Sequence, residues 1–432
     1  MRAASDTIFA VASGAGRAAV TVLRVSGPAA ARVFDQLCRR RPAARVAALR
    51  ALREPGGDLL DRALVLWLPG PASYTGEDSC EFHLHGGRAV LDGVTEALVR
   101  AGARPAEPGE FTRRAFLNGR LDLLEAEAVA DLVAAETSAQ RTQALRQLGG
   151  ALGTLYRDWT ARLTRLLAQQ EALIDFPDED LPPETEAAML GEMAAIERDI
   201  AAHLDDGRRG ERVRHGVVIA VTGAPNVGKS TLINALAGRD VAIVSPLAGT
   251  TRDVLEARVV IAGVPVTLLD TAGLREADDP IEAEGVRRAV ARAAEADLVL
   301  VLRDAAVPDM PVSEGDDSRL AVFTKADLGG PAGTGLRVSA RTGDGMDALW
   351  DRLARDVRRL TDSAGPPALT RARHRAGLAD AVGSLALAAR AELPELRGEA
   401  LRQSVLAIGR VTGRIGVEAV LDAVFSQFCI GK

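Results

Sequence analysis

The stretch Gly223-Ala224-Pro225-Asn226-Val227-Gly228-Lys229-Ser230 fits the pattern G-x-x-x-x-G-K-[ST]. The apolar run over residues 217–221 precedes it and predicts a buried strand, and the apolar spacing over residues 231–236 predicts a helix. A glycine-rich turn between strand and helix directs backbone N–H groups and the helix N-terminus at an anion. The stretch therefore predicts a phosphate site in which Lys229 reaches the β- and γ-phosphates and the Ser230 hydroxyl binds Mg²⁺.

Length and composition indicate a globular protein of several domains. A chain of 432 residues is expected to form about two to four domains. The net charge of −6 and the 3% aromatic content argue against a chain-wide polyanion binder and a base-stacking platform, so nucleic-acid contact is expected to be local or shared with a partner. No segment has a signal peptide's pattern or spans a membrane without charges, so we expect a cytoplasmic protein with no membrane association.

The cysteines and histidines do not form a convincing metal pattern. Cys38, Cys80 and Cys429 are widely spaced and odd in number, which argues against a disulfide framework and for a reducing compartment. His83 and His85 lie two apart on a predicted strand and imitate a metal pair. No third ligand is evident nearby, so a structural role is favoured.

Residues 1–118 predict a compact α/β domain. Strands are predicted over residues 19–25, 63–68 and 79–85, each followed by glycine or proline turn signals. A helix with one apolar face is predicted over residues 90–99.

Long-helix patterning predicts helical regions over residues 119–212 and 358–432, on either side of a second α/β unit at residues 213–357. The later helical segment is short for a core of its own, so we expect one helical domain with the nucleotide domain inserted. Two separate bundles are the alternative. The predicted fold class is α/β plus all-α: an N-terminal α/β domain, a helical domain and an inserted Ras-like P-loop domain.

Motifs downstream of the phosphate loop, in this order, are typical of a GTPase. Thr250 and Thr251 follow the helix predicted after the phosphate loop, at a position where a threonine can close onto Mg²⁺ and the γ-phosphate. A hairpin over residues 259–269 delivers Asp270, which suits an Mg²⁺-bound water, and the Gly273 N–H can sense the γ-phosphate.

The segment Thr324-Lys325-Ala326-Asp327 predicts recognition of guanine. Asp327 can accept from guanine N1–H and N2–H₂, a pair of donors that adenine lacks. GTPases usually have asparagine where this chain has Thr324, so the contact to guanine N7 is expected to be weakened. Ser339 and Ala340 complete this set.

Over essentially its full length the chain resembles the MnmE (TrmE) family of tRNA-modifying GTPases. The stretches that carry the resemblance are Asp6-Thr7-Ile8, Leu23-Arg24-Val25-Ser26-Gly27, Tyr74-Thr75-Gly76-Glu77-Asp78, His85-Gly86-Gly87, Gly109-Glu110-Phe111-Thr112, residues 116–123, Asp270-Thr271-Ala272-Gly273-Leu274-Arg275 and Phe428-Cys429-Ile430-Gly431-Lys432.

The resemblance implies a GTP hydrolase that works with the FAD-dependent partner MnmG. Together they add an aminomethyl or carboxymethylaminomethyl group at C5 of the wobble uridine of certain tRNAs. It also implies a homodimer, a heterotetramer with MnmG, hydrolysis stimulated by K⁺, and a 5-formyl- or methylene-tetrahydrofolate bound by the N-terminal domain, which makes the dimer. The alternative class is a GTP-dependent binding switch such as a ribosome-assembly GTPase, which would not need that domain or the Cys-Ile-Gly-Lys ending.

The resemblance further implies roles for individual residues. Glu282 would orient the attacking water and act with Lys229 in catalysis. The implied GTP-binding residues are Asn226, Val227, Gly228, Lys229, Ser230, Thr231, Ser245, Pro246, Leu247, Ala248, Gly249, Thr250, Thr251, Asp270, Thr271, Ala272, Gly273, Thr324, Lys325, Asp327, Ser339 and Ala340. The implied metal ligands are Ser230 and Thr251 for Mg²⁺, and Asn226, Ser245, Leu247 and Thr250 for K⁺. The implied folate-binding residues are Arg24, Glu81, Arg120 and Lys432, with Cys429 as a reactive thiol beside them.

Considered without the family, several of these residues allow another interpretation. Asn226 also fits a solvated loop, and Glu282, in an acidic run, fits a solvated face. Glu81 fits a solvent-facing carboxylate, Arg24 a strand-end ion pair, and Cys429 a buried inert thiol. At residue 120 the family often has lysine; arginine keeps the charge but changes the geometry.

Overall fold

The structure is a computed structural model, and its residues form two compact units. The first comprises residues 1–130, 147–165 and 405–432, and the second residues 131–146 and 166–404. The residues that it describes are 6–14, 16–54, 56–175, 183–239, 256–270, 295–307, 318–330, 335–362, 366–415, 421, 424–426, 428 and 431.

A six-stranded sheet forms the centre of the first unit. Its strands are β1 (Thr7–Val11), β2 (Ala18–Ser26), β3 (Ala48–Arg53), β4 (Leu59–Leu68), β5 (Ser79–Gly86) and β6 (Ala103–Pro105). Their order is β3-β4-β5-β2-β1-β6. All neighbours are antiparallel except β1 and β6, which are parallel. The three strands predicted from the sequence are present as β2, β4 and β5.

A second sheet lies in the second unit. Its strands are β7 (Val217–Gly223), β8 (Glu256–Ile261), β9 (Val264–Asp270), β10 (Leu298–Asp304), β11 (Arg319–Thr324) and β12 (Leu336–Arg337). Their order is β12-β11-β10-β7-β9-β8, and only β8 and β9 are antiparallel. The predicted hairpin is confirmed: Ala262 and Gly263 both have positive φ, 54° and 78°, as a type I′ turn requires.

Helices are found in both regions predicted to be helical, residues 119–212 and 358–432, and over the predicted helix at residues 90–99. They are α1 (Ala30–Cys38), α2 (Arg88–Arg100), α3 (Glu110–Leu117), α4 (Leu123–Ala134), α5 (Ser138–Leu148), α6 (Ala151–Asp175), α7 (Pro183–Leu204), α8 (Arg209–His215), α9 (Lys229–Ala237), α10 (Met346–Thr361), α11 (Ala372–Arg390) and α12 (Pro394–Thr412). The pair Gly149-Gly150 separates α5 from α6, as its low helix propensity suggests. Two predicted domain limits, after residues 212 and 357, fall inside α8 and α10.

A large apolar cluster of the first unit lies on one face of its sheet, and a smaller one around Ile8 lies on the other. Along β5, Cys80, Phe82 and Leu84 are buried, and the alternate residues face the other way. The Phe82 ring stacks on Phe34 of α1 with centroids 5.5 Å apart. Burying a phenylalanine side chain contributes roughly 2–3 kcal/mol, so these rings anchor α1 to the sheet. The opposite face of β5 is therefore left for polar residues.

The end of the chain packs within the first unit. Leu421, Phe425 and Phe428 are buried against Leu123 and Ala126 of α4. A Cβ added to Gly431 would lie 2.2 Å from the carbonyl oxygen of Val11, so the backbone at Gly431 touches the end of β1. This brings the C-terminal residues beside the N-terminal sheet.

A large apolar core covers one face of the sheet in the second unit. Val217, Ile219 and Val221 alternate along β7, so they point to one face, and they form a fully buried cluster with Leu232 of α9 and Leu353 of α10. Ala220, which points to the other face, is 1% exposed, so β7 is buried on both faces there, as is typical of a parallel sheet. Among the described residues, no helix has the length and apolar character needed to cross a membrane.

Candidate functional site

The phosphate loop joins the end of β7 to the start of α9. Gly223 has φ of 147°, and a Cβ there would lie 2.6 Å from the carbonyl oxygen of Leu302 in β10. Asn226 and Gly228 also have positive φ, 58° and 101°. The loop therefore turns tightly against the neighbouring strand, which requires glycine at residue 223.

Lys229 reaches back across the loop from the first turn of α9. Its side chain is buried, and Nζ donates to the carbonyl oxygens of Gly223 and Ala224 at 2.8 Å each. Both acceptors are neutral, so the ammonium charge remains to be balanced by an anion. Together with the N-terminus of α9, this geometry suits a bound phosphate.

Ser230 and Asp270 come together beside this lysine. The Ser230 hydroxyl donates to Asp270 Oδ2 at 2.7 Å, and the Asp270 residue, at the end of β9, is 6% exposed. A hydroxyl and a carboxylate are hard oxygen donors, the kind that Mg²⁺ prefers. Ser230 and Asp270 therefore fit a magnesium ion. Asn226, the predicted K⁺ ligand, is exposed on the loop.

The predicted base-recognition residues lie at the ends of β11 and β12. Asp327 accepts from the Ser339 hydroxyl at 2.7 Å and also pairs with Arg341. The hydrogen bond from Ser339 and, to a smaller extent, the one from Arg341 lower the pKa of Asp327. Its carboxylate is therefore ionised and able to accept a hydrogen bond at neutral pH. Lys325 pairs with Asp304 at 2.8 Å.

Thr324 connects these two regions. Its side-chain hydroxyl lies 2.5 Å from the carbonyl oxygen of Val227 in the phosphate loop. Val227 is 3% exposed and Thr324 is 5% exposed, so this contact is buried. The base end and the phosphate end of the site are thus joined by one side chain.

The remaining predicted residues lie outside the described residues. They are Ser245, Pro246, Leu247, Ala248, Gly249, Thr250, Thr251, Thr271, Ala272, Gly273, Glu282, Cys429 and Lys432. Of the other residues predicted to bind GTP, Thr231 lies in α9 and Ala340 follows Ser339.

A second polar group lies in the first unit, on the face of the sheet that carries the smaller apolar cluster around Ile8. Arg24 of β2 stands opposite Glu81 of β5 in the antiparallel register, and its Nε and Nη2 both lie 2.9 Å from Glu81 Oε1. The guanidinium carbon lies 5.5 Å from the centre of the Tyr74 ring and 5.9 Å from that of Phe111. A planar cation with aromatic neighbours and a carboxylate can bind a flat heteroaromatic ring through hydrogen bonds and stacking.

Arg120 approaches the same segment of chain. It is exposed, and a Cβ added to Gly76 would lie 3.2 Å from its Cγ. Because Gly76 follows Tyr74 by two residues, Arg120 lies close to the segment that holds the Tyr74 ring.

The two histidines of β5 have separate partners. His85 Nδ1 lies 2.7 Å from Asp61 and His83 Nε2 lies 3.5 Å from Glu81. Among the residues that the structure describes, no three His, Cys, Asp or Glu side chains are grouped to hold a metal ion.

Two family models match the chain in sequence. The model described as "GTP-binding protein TrmE N-terminus" matches residues 7–120, and the "MnmE helical domain" model matches residues 123–429. The chain belongs to the MnmE family. The helical-domain match starts before the phosphate loop and ends after β12, as expected for a helical domain with a GTPase domain inserted. The predicted fold class is confirmed.

Relatives of this family align with the chain from end to end. A protein of Gluconacetobacter diazotrophicus named "tRNA modification GTPase MnmE" is 57% identical over 98% of each chain. Proteins of the same name from Acidiphilium cryptum and Rhodospirillum rubrum are 55% and 53% identical, over 100% and 99% of this chain and 99% of their own. The protein is thus similar throughout its length to GTPases named for tRNA modification, and GTP binding follows from the family.

One solved structure that the chain resembles is the FeoB G-domain of Methanococcus jannaschii. It covers 33% of this chain and 98% of its own at 23% identity, with a TM-score of 0.22.

Sequence reasoning did not find Tyr74, Phe111 or Arg341 as site residues. Tyr74 and Phe111 belong to motifs that were recognised, but nothing local shows that they meet Arg24. The only signal for Arg341 was its place directly after Ser339 and Ala340.

Proposed function

We propose that this protein hydrolyses GTP to drive the addition of an aminomethyl or carboxymethylaminomethyl group at C5 of the wobble uridine of certain tRNAs, together with the FAD-dependent partner MnmG. The observation that carries the proposal is one chain with two separate polar sites. One is the phosphate loop with Lys229, Ser230 and Asp270, and the other is Arg24 with Glu81 beside two aromatic rings. A binding switch needs the first site and has no use for the second.

At the phosphate site, catalysis depends on balancing charge as the γ-phosphoryl group is transferred. Lys229 supplies one positive charge, and Ser230 and Thr251 would hold Mg²⁺. Asn226, Ser245, Leu247 and Thr250 would hold K⁺, which would supply the positive charge that an arginine finger supplies in other GTPases. Glu282 orients the attacking water. The exposed position of Asn226 on a positive-φ turn supports the K⁺ assignment, since its side-chain oxygen is free to point out of the loop.

At the second site, Arg24, Glu81, Arg120 and Lys432 bind 5-formyl- or methylene-tetrahydrofolate. Glu81 accepts from donors of the pterin ring, and the cations pair with the carboxylates of its tail. The position of Gly431 against Val11 supports the inclusion of Lys432, because the adjoining residue of β1, Ala10, is paired with Arg24. The neighbouring thiol of Cys429 lies in the same C-terminal segment. The N-terminal domain also forms the homodimer, which joins MnmG in a heterotetramer.

The test is mass spectrometry of wobble uridines in tRNA from a strain that lacks this protein. We expect C5 to be unmodified, and we expect the wild-type gene, but neither Lys229→Ala nor Arg24→Ala, to restore the modification. Arg355→Ala, an exposed arginine of α10, is the matched control and is expected to restore it. Fully modified tRNA accompanied by a ribosome defect would instead support the binding switch.

Ion dependence tests the K⁺ assignment separately. We expect faster GTP hydrolysis in K⁺ than in Na⁺ at equal ionic strength, and we expect Asn226→Ala to remove most of this difference. Equal wild-type rates in the two salts would contradict the assignment.

A further inference from the structure

Thr324 has two acceptors within reach of its hydroxyl. Oγ1 lies 2.5 Å from the carbonyl oxygen of Val227 and 3.1 Å from that of Arg303. The residue ends β11 and is 5% exposed. Both neighbours can only accept a hydrogen bond, so each competes for the same proton.

The number of protons decides what this side chain can recognise. A threonine hydroxyl carries one donor, whereas an asparagine amide carries two. Guanine N7 is an acceptor and can be read only by a donor. With its single proton given to a carbonyl, Thr324 can offer only lone pairs to a base. An asparagine at this position could satisfy a carbonyl and N7 at once.

The bond to Val227 also has a structural value. The Val227 residue is 3% exposed, and a buried carbonyl that loses its donor bears a desolvation penalty. The next residue, Gly228, lies near Thr324, since a Cβ added there would lie 4.0 Å from Thr324 Cβ. Thr324 therefore supports the loop backbone immediately before Lys229.

We propose that Thr324 is a positioning residue for the phosphate loop and that guanine N7 is not recognised in this protein. Base selection then rests on the Watson–Crick edge, at Asp327. The proposal rests on the assignment of GTP as the nucleotide and of Asp327 as its base acceptor.

The nucleotide 7-deaza-GTP, in which a C–H group replaces N7, tests this directly. For the wild-type protein we expect the KM for 7-deaza-GTP and the KM for GTP to agree within about twofold. For Thr324→Asn we expect the KM for 7-deaza-GTP divided by the KM for GTP to rise about fivefold to tenfold, which corresponds to the loss of one hydrogen bond. A wild-type ratio of fivefold or more would overturn the proposal, and so would an unchanged ratio in Thr324→Asn.

Two further variants separate positioning from simple packing. Thr324→Val keeps the shape and removes the proton, so we expect KM to rise several-fold for GTP and 7-deaza-GTP alike while their ratio stays near one. Thr324→Ser keeps the proton, and we expect it to recover most of the affinity lost in Thr324→Val. If Thr324→Val binds GTP as tightly as the wild type, the hydroxyl does not position the loop.

The assignment on which the proposal rests has its own readout. If Asp327→Asn still prefers GTP to XTP, the base acceptor is wrong whatever the 7-deaza-GTP result. If Asp327→Asn switches to XTP and the wild type still rejects 7-deaza-GTP, the guanine site stands and only the Thr324 proposal fails.

Discussion

The two sheets of this protein carry their polar residues in different places. In the second unit, Gly223, Asp270 and Thr324 end the parallel strands β7, β9 and β11. In the first unit, Arg24 and Glu81 face each other within the antiparallel strands β2 and β5. The carboxyl ends of parallel strands meet at one edge of a sheet, where loops form a crevice, whereas antiparallel pairing places residues opposite each other on the sheet face.

As a result, the two sites are positioned by different parts of their folds. The phosphate site is built from a loop and a helix N-terminus, so its backbone N–H groups and Lys229 are close in sequence. The Arg24 site depends on strand register, because a shift by one residue would turn Glu81 to the core face. The first site is expected to lose activity when a single charged residue is removed. The second is expected to lose binding when Arg24 and Glu81 no longer stand opposite each other.

Loss of Lys229 is expected to have the largest effect. Lys229→Ala removes the cation from the phosphate loop, and kcat/KM for GTP should fall by up to about 1000-fold. Steady-state phosphate release measures it, with Arg355→Ala as the control. If Arg24→Ala reduced GTP hydrolysis by a similar factor in the absence of tRNA, the two sites would not be separate and the comparison would fail.

Replacement of the base acceptor Asp327 should have the next largest effect. Asp327→Asn turns one acceptor oxygen into a donor, so we expect preference to move from GTP to XTP by about 100-fold. Competition between the two nucleotides measures it. The neighbouring Asp304→Asn, which removes the charge paired with Lys325 and can keep the hydrogen bond from the Ala306 N–H, should keep the preference for GTP.

Acid should weaken the second unit before the first. Burial lowers the pKa of His203 in α7 to about 4, against 6.5 in a model peptide, although Asp206 acts in the opposite direction. Between these values the unfolded chain binds a proton that the native chain does not, so stability falls as the pH drops below about 6.5 and stays reduced below 4. The loss at pH 5 should be about 2 kcal/mol.

Hydrogen exchange at pH 7 and pH 5 measures this loss in α7. His203→Gln should remove much of the pH dependence there. In the first unit the relevant group is Glu110, with a pKa of about 2; Arg104 and Arg114 outweigh its burial. Its stabilisation is present above about pH 4.5 and is lost as the pH falls towards 2, so α3 should remain protected at pH 5. Equal loss in α3 and α7 would contradict the difference between the units.

The smallest effect is expected at the Arg24 site. Glu81→Gln leaves Arg24 without its carboxylate, and the affinity for 5-formyltetrahydrofolate should fall about tenfold, as for one charged hydrogen bond. Titration calorimetry measures it. Glu54→Gln, which alters an ion pair with Arg100 in the same unit at 3.2 Å, is the matched control. If both variants bind alike, Glu81 has no part in folate binding.

The elements that sequence predicted well are those with a local cause. The hairpin over residues 259–269 and the strand before the phosphate loop both follow from nearest neighbours in the chain. The strands β1, β3 and β6 were not predicted. The three residues of β6 are too few for a periodic signal, and β3 mixes arginine with alanine and leucine. These strands form because partners pair with them, a tertiary effect that propensity does not contain.

By itself, the sequence determined the phosphate loop, the order of the GTPase motifs and, through its matching stretches, the family. Each of these motifs consists of residues that lie within a few positions of one another, where chain geometry leaves little freedom. Only the tertiary structure decided that Arg24 meets Glu81 across 57 residues of sequence, with the Tyr74 and Phe111 rings beside them. Only the fold could show that the hydroxyl of Thr324 lies 2.5 Å from the loop carbonyl of Val227, because the two residues are 97 positions apart and meet through parallel strands.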